Sequence, residues 1–343
     1  MIPAGKNAAV FKGLEEAFGT TTIEDIRSIN EGSSSDLVFR IVVNGTPYLL
    51  RIMTRIDERM DPARIFARMN AAAEAGVAPR VRYTNADEGI TITEFIAALP
   101  LETTQARVQL PATLAKLHRL PPFPKAFNYV TAHNGFIWRL RKASLLPQDE
   151  VEEVFGGYQH VCAIYPRLDS DMVSCHMDLK PENIVFDGQR VWLLGWQAAF
   201  LNDRYFDLAV AANYLVNGDG DESIYLAQYF AQSPGEYQRA RFFLMRQVVH
   251  MLSAAVFLLL GAAGKPINPS ENLPSFRDFH RQIWEGKLSL ASNDLKIVCG
   301  LVHWKQLLEN LRSARFHEAL AIVSAANSGD EPVHPLLPAP PQD

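Results

Sequence analysis

Cysteine is scarce in this chain. Three residues, Cys162, Cys175 and Cys299, stand at irregular spacing among 343, with no CxxC pair. An odd, scattered set excludes a disulfide framework and a zinc knuckle, and fits a reducing compartment, the cytosol. Neither charge is in large surplus: 33 Lys and Arg stand against 38 Asp and Glu, for a net charge of -5 and a pI near 6.0. Without a basic footprint, nucleic acid is not an expected partner. The opening MIPAGKNAAVFKGLEEAFG lacks a basic region followed by a long apolar core, so no secretory signal is expected. The longest apolar run, MLSAAVFLLLGAA at residues 251–263, falls short of the roughly 20 residues that span a bilayer. It reads as a buried helix, and no membrane partner is expected.

What is present is ordinary in bulk and patterned in detail. The hydrophobic fraction of 48% and charged fraction of 21% suit a globular chain with a sizeable core. Residues 29–96 read mainly as strands (LVFRIVVNG, TPYLLRI, GITITEFI), with Asn44-Gly45 where a tight hairpin turn belongs. One helical stretch, DPARIFARMNAAAEAG, interrupts them and stops at Gly76 before Pro79. Beyond Leu99-Pro100 the periods become helical, broken by two short strands, IVFDG and RVWLLGW, joined through Asp187-Gly188. The expectation is an α+β chain in two lobes: a small antiparallel sheet with one helix over residues 1–97, and a mainly helical lobe over 98–326. The proline-rich acidic tail, 327–343, is expected to be disordered.

The chemistry-bearing stretch is His176-Met177-Asp178-Leu179-Lys180-Pro181-Glu182-Asn183. It has the H-x-D-x-x-x-x-N spacing of a phosphoryl-transfer loop, in which the Asp takes or orients the proton of an attacking hydroxyl and the Asn offers an oxygen to magnesium. Magnesium takes oxygen ligands in near-octahedral geometry and shares them with nucleotide phosphates.

The octet, the hairpin running to Trp196 and the following NDRYFDLA together resemble the aminoglycoside phosphotransferase and choline/ethanolamine kinase superfamily, on its choline-kinase side. The resemblance covers about residues 29–320. It implies a protein-kinase-like fold, ATP and Mg2+ as cofactors, and transfer to the hydroxyl of a small, cationic acceptor. Asp178 would be the catalytic base and Asn183 a metal ligand, with His176 and Asp207 supporting the loop. Nucleotide contacts would come from Arg51, Lys180, the Gly32-Ser33-Ser34-Ser35 loop, and Glu94 and Ile96 at the hinge. Asp203, Trp284 and Trp304 are candidates for the acceptor, the tryptophans because cation–π attraction suits a poorly hydrated cation. A protein kinase is disfavoured, since little chain separates Gly195 from Asp207 and no peptide-docking segment fits between them.

Two departures from that family stand out. Its second hairpin strand usually ends Asp-Trp, and this chain has Gly195-Trp196, so a negatively charged metal ligand is missing. The glutamate that usually partners the Arg51 position is also missing: Ala67 falls there, unless a shifted register recruits Glu58. Asp187 or Glu182 are candidates to replace the lost carboxylate. Three readings follow: a choline/ethanolamine-type kinase, a pseudokinase that binds nucleotide or ligand without turnover, and an aminoglycoside kinase.

Overall fold

A computed structural model describes residues 2–29, 36–58, 60–124, 129–166, 168–263, 267 and 272–326. The chain divides into two compact units, Met1–Phe123 with His176–Ala199, and Pro124–Cys175 with Phe200–Asp343. The division is discontinuous: His176–Ala199 belongs to the same unit as Met1–Phe123.

The first unit opens with α1 (Asn7–Phe18), followed by β1 (Asp25–Ser28), β2 (Leu37–Val43), β3 (Thr46–Ile52), α2 (Pro62–Glu74), β4 (Val81–Asn85), β5 (Ile90–Glu94) and α3 (Thr103–Leu117). The five strands form one antiparallel sheet in the order β1-β2-β3-β5-β4. Asn44 and Gly45 both take positive φ, 49° and 71°, the twist that a two-residue hairpin needs. Alternation sends Phe39, Ile41, Val43, Tyr48, Leu50 and Ile52 to one face, where Val10 and Leu14 of α1 close the core. The lobe thus carries two helices rather than the one expected, because the opening segment, with Val10 and Leu14 four apart, supplies a second apolar stripe. Arg51, one step out of phase with Leu50 and Ile52, lies on the opposite face. α2 starts at Asp61, whose side chain accepts from Ala63 N, with Pro62 as first residue.

The second unit contains α4 (Tyr129–Lys142), α5 (Gln148–Ile164) and β6 (Met172–Cys175). The chain then enters the first unit for the loop and for the hairpin β7 (Ile184–Phe186) and β8 (Val191–Leu193), and returns at β9 (Phe200–Asp203). It finishes with α6 (Arg204–Leu215), α7 (Asp219–Phe230), α8 (Glu236–Ala262), α9 (Phe276–Trp284), α10 (Asn293–Leu311) and α11 (Ala314–Ala326). β6 and β9 pair antiparallel. α8 corrects the length argument made from the sequence: it runs 27 residues, long and apolar enough to cross a membrane. Its polar N-terminal half hides the full length in the sequence. It packs against α4, α6, α10 and α11 and buries Arg241, Gln247 and His250 among its apolar residues, the pattern of a core helix.

Candidate active site

The loop that begins at His176 is built around that histidine. His176 is fully buried; its Nε2 lies 2.8 Å from the Leu194 carbonyl and its ring meets Trp196 edge-on at 4.8 Å. The carbonyl can only accept, so Nε2 carries the hydrogen, and Nδ1 accepts from the Asp178 amide at 3.3 Å. Met177 between them takes φ 69°, a left-handed conformation that costs a non-glycine residue about 1 kcal/mol or more. That strain turns Asp178 outward, and its side chain is 40% exposed.

Asn183 sits in the short turn Pro181–Asn183 that closes the loop. Its Nδ2 donates to both the Asp178 carbonyl and Asp178 Oδ2, each at 2.8 Å. Lys180 Nζ lies 3.2 Å from the same Oδ2. Among the described residues Oδ1 of Asp178 accepts no hydrogen bond, while Oδ2 is pinned by Asn183 and Lys180. Asp178, Lys180 and Asn183, expected together from their spacing, are brought into mutual contact.

Position 195 is the departure. Gly195 has φ 82° and ψ 59°, a region glycine enters without penalty. A Cβ built there would lie 2.6 Å from Asn183 Oδ1 and 2.8 Å from its Cγ and Nδ2. The Asn183 amide therefore fills the space beside the missing side chain. Asp187 does not compensate: Oδ1 accepts from the Gln189 and Arg190 amides and Oδ2 from Trp192 Nε1, all at 2.8 Å. These bonds hold the Asp187 carboxyl below its usual range despite opposing desolvation. Its role is to close the hairpin. Glu182 is exposed in the turn before Asn183. Among the described residues, the donors brought into contact here are one neutral amide oxygen and one carboxylate already bonded to an amide and an ammonium. Such a set does not fit a resident magnesium ion, a hard dication that favours anionic oxygens.

Arg51 also differs from expectation. Its partner is neither Ala67 nor Glu58 on or before α2, but Asp36 at the entrance to β2. Arg51 Nε and one terminal nitrogen donate to Asp36 Oδ2 at 2.8 and 2.6 Å, and the Asp36 side chain is 2% exposed. The missing glutamate is replaced from the sheet, a substitution invisible to helix-based alignment. Gly32, Ser33, Ser34 and Ser35 lie outside the described residues. Glu94 ends β5 with its carboxylate 2.7 Å from Arg82, and Ile96 follows in the irregular segment after it, half-buried.

The remaining candidates belong to the second unit, and two are corrected. Asp203 is buried and committed: it caps α6 through Tyr205 N at 2.8 Å, accepts from Tyr165 Oη at 3.2 Å and pairs with Arg241 at 3.0 Å. Burial pushes its carboxyl up to about 6 against the pull of Arg241. It is a structural residue rather than an acceptor contact. Trp304 is a core residue, 3% exposed, whose indole donates to Glu150 at 3.0 Å. Trp284 is half-buried with its ring 6.0 Å from Tyr214. Asp207 is fully buried in the first turn of α6.

The sequence model of the phosphotransferase enzyme family matches residues 25–243. The chain belongs to that family. Protein LicA of Haemophilus influenzae is 22% identical over 223 residues, 61% of this chain and 62% of LicA, so the chain spans less than two thirds of that relative's length. Among solved structures, a choline/ethanolamine kinase family protein from Mesorhizobium loti superposes with a TM-score of 0.65 at 21% identity, covering 94% of this chain and 97% of that one. Choline kinase LicA from Streptococcus pneumoniae gives 0.54 at 14% identity, over 82% and 98%. These likenesses establish the protein-kinase-like α+β fold.

Proposed function

We propose that this family member is an ATP-dependent phosphotransferase acting on the hydroxyl of a small cationic amino alcohol of the choline or ethanolamine kind. The observation that carries the reading is the fixed, half-exposed Asp178 carboxylate: one oxygen is held by Asn183 and Lys180, and the other accepts no hydrogen bond among the described residues. Held this way, Asp178 orients the hydroxyl and receives its proton as the phosphoryl group is transferred. Lys180 lies beside the same oxygen and supplies positive charge to the phosphoryl group in flight. Arg51, fixed by Asp36, and the loop containing Gly32, Ser33, Ser34 and Ser35 are assigned to the phosphates. The segment from Glu94 to Ile96 is assigned to the base, and Trp284 beside Tyr214 to the acceptor's cation. The names of the two kinase relatives support the acceptor class.

The test is ADP formation from ATP by the purified chain with choline, ethanolamine and a panel of aminoglycosides, with and without magnesium. Turnover with an amino alcohol that disappears in Asp178→Asn supports the reading. Turnover only with an aminoglycoside moves the acceptor class.

A second reading, a binding module without turnover, is favoured by one observation: Gly195 leaves the site short of an anionic metal ligand while Asp187 is tied to its own turn. Binding of ATP without ADP formation across the whole panel would establish it.

A further inference from the structure

α2 presents a buried stripe, Ile65, Arg68 and Ala72, at helical spacing. Arg68 is 7% exposed, yet among the described residues no carboxylate pairs with it. Its Nε is a buried donor without an acceptor among the described residues. Burial, and then repulsion by Arg64, pull its pKa down against the attraction of Asp61. Asp61 is itself paired with Arg64 at 2.7 Å.

Among the described residues no carboxylate of the same unit supplies a counter-charge. Among the described residues its half-buried carboxylates are all committed. Asp25 pairs with Arg40, Asp36 with Arg51, Asp57 with Arg55, Glu88 with Lys6 and Glu94 with Arg82. Asp178 meets Lys180 and Asn183, and Asp187 serves its turn. The Arg68 Nε is buried while the terminal nitrogens, which meet no acceptor among the described residues, are left to the solvent side, so the cation is unpaired and reachable.

A second orphan lies on the element that α2 packs against. That element is the turn Trp196–Ala198, directly after Gly195. Trp196 is 3% exposed and its Nε1 is also a buried donor with no acceptor among the described residues. Two unmatched donor nitrogens, one on a cationic side chain, therefore stand on elements that pack together, one of them directly after Gly195.

We infer that Arg68, with Trp196, binds a phosphate group of the nucleotide directly, so that this chain holds ATP without a divalent cation. The inference rests on the nucleotide-binding reading above. Where a carboxylate would recruit a metal to screen the phosphates, a guanidinium neutralises them by charge-assisted hydrogen bonds of its own.

The experiment is calorimetric titration of the full chain with ATP, in excess magnesium and in EDTA, for the wild type, Arg68→Gln, Arg68→Lys, Trp196→Phe and the control Arg64→Gln. The expected result is a wild-type Kd that changes less than about threefold between the two buffers, and a loss of roughly tenfold or more in Arg68→Gln. Arg68→Lys recovers part of the loss, Trp196→Phe loses several-fold, and Arg64→Gln matches the wild type. Thermal melts without ligand separate binding from folding: Arg68→Gln melts no lower than the wild type, since it breaks no ion pair or hydrogen bond. ATP binding that weakens tenfold or more in EDTA overturns the inference and leaves the nucleotide reading standing. So does unchanged affinity in a folded Arg68→Gln. Absence of ATP binding in both buffers overturns the two together.

Discussion

The side chain of Asn183 stands where a side chain at Gly195 would begin: a Cβ at 195 falls 2.6 Å from Asn183 Oδ1. The same amide holds the Asp178 carboxylate through Nδ2. The absence of a side chain at 195 and the Asp178–Asn183 contact are therefore coupled, and position 195 can be filled only by moving Asn183.

Replacing Gly195 tests that coupling. Gly195→Ala and Gly195→Asp both add a Cβ at φ 82°, at about 1 kcal/mol of backbone strain, and both push Asn183 off Asp178, at about another 1 kcal/mol per hydrogen bond lost. Denaturant titration should show each variant about 1–3 kcal/mol less stable than the wild type. Only the aspartate adds an anionic oxygen, so only Gly195→Asp should acquire ADP formation that rises with magnesium. Equal stability of both variants with the wild type would show that Asn183 has room to spare.

Asp178→Asn isolates the proton acceptor. The asparagine has nearly the same shape, and the residue is half-exposed, so stability should change by less than about 0.5 kcal/mol. ADP formation should fall by about a hundredfold or more, the usual contribution of a positioned base. A folded variant that keeps most of its turnover would remove Asp178 from the chemistry.

Much of this site was legible because its residues are neighbours in the chain. The spacing of Asp178 and Asn183 needs only one loop to bring them together, and the hairpin is announced by Asp187-Gly188. What the sequence hid depends on contacts between distant segments. Asp36 replaces a helix glutamate as the partner of Arg51 because the entrance of β2 lies beside β3, fifteen residues further on. Asp203 looks like an acidic site residue in NDRYFDLA, and only Arg241, far along the chain on α8, shows it to be spent.

Asp203 also separates structure from recognition by experiment. It and Asp171 flank the buried Arg241 guanidinium, which lies over the rings of Tyr165 and Tyr205 at 5.0 and 4.7 Å. Asp203→Ala removes one of two counter-charges and the cap of α6. Stability should drop by about 3 kcal/mol in a denaturant titration. A variant that keeps wild-type stability and changes only the KM of the acceptor would return Asp203 to the substrate.

Three buried histidines on α8, α9 and α10 set the acid limit of the fold. His280 Nδ1 lies 2.9 Å from the Phe276 carbonyl, which only accepts, so that nitrogen carries the hydrogen and Nε2 is bare. His303 Nε2, 3.3 Å away, then donates to it, and His250 Nδ1 donates to His303 Nδ1 at 3.0 Å. The relay is complete with all three rings neutral, and His250 Nε2 ends it as a buried acceptor without a donor among the described residues. Burial drives all three pKa values down, His280 to about 4, and Arg246 on α8 opposes any added positive charge. The unfolded chain takes up protons below about 6.5 while the folded chain refuses them, so stability is full above that pH and falls as pH drops toward 4. His280 alone accounts for a loss on the order of 3 kcal/mol, at about 1.4 kcal/mol per pH unit. Asp203 works in the opposite direction between about 6 and its ordinary value, since its folded carboxyl protonates first, but one carboxyl stands against three rings. Urea titrations at several pH values from 7 to about 4.5 should therefore show stability falling steadily, with a shallower fall in His250→Phe, which has one fewer ring to protonate. A flat profile over that range would mean that the histidines ionise inside the fold, and that the relay opens to take up the charge.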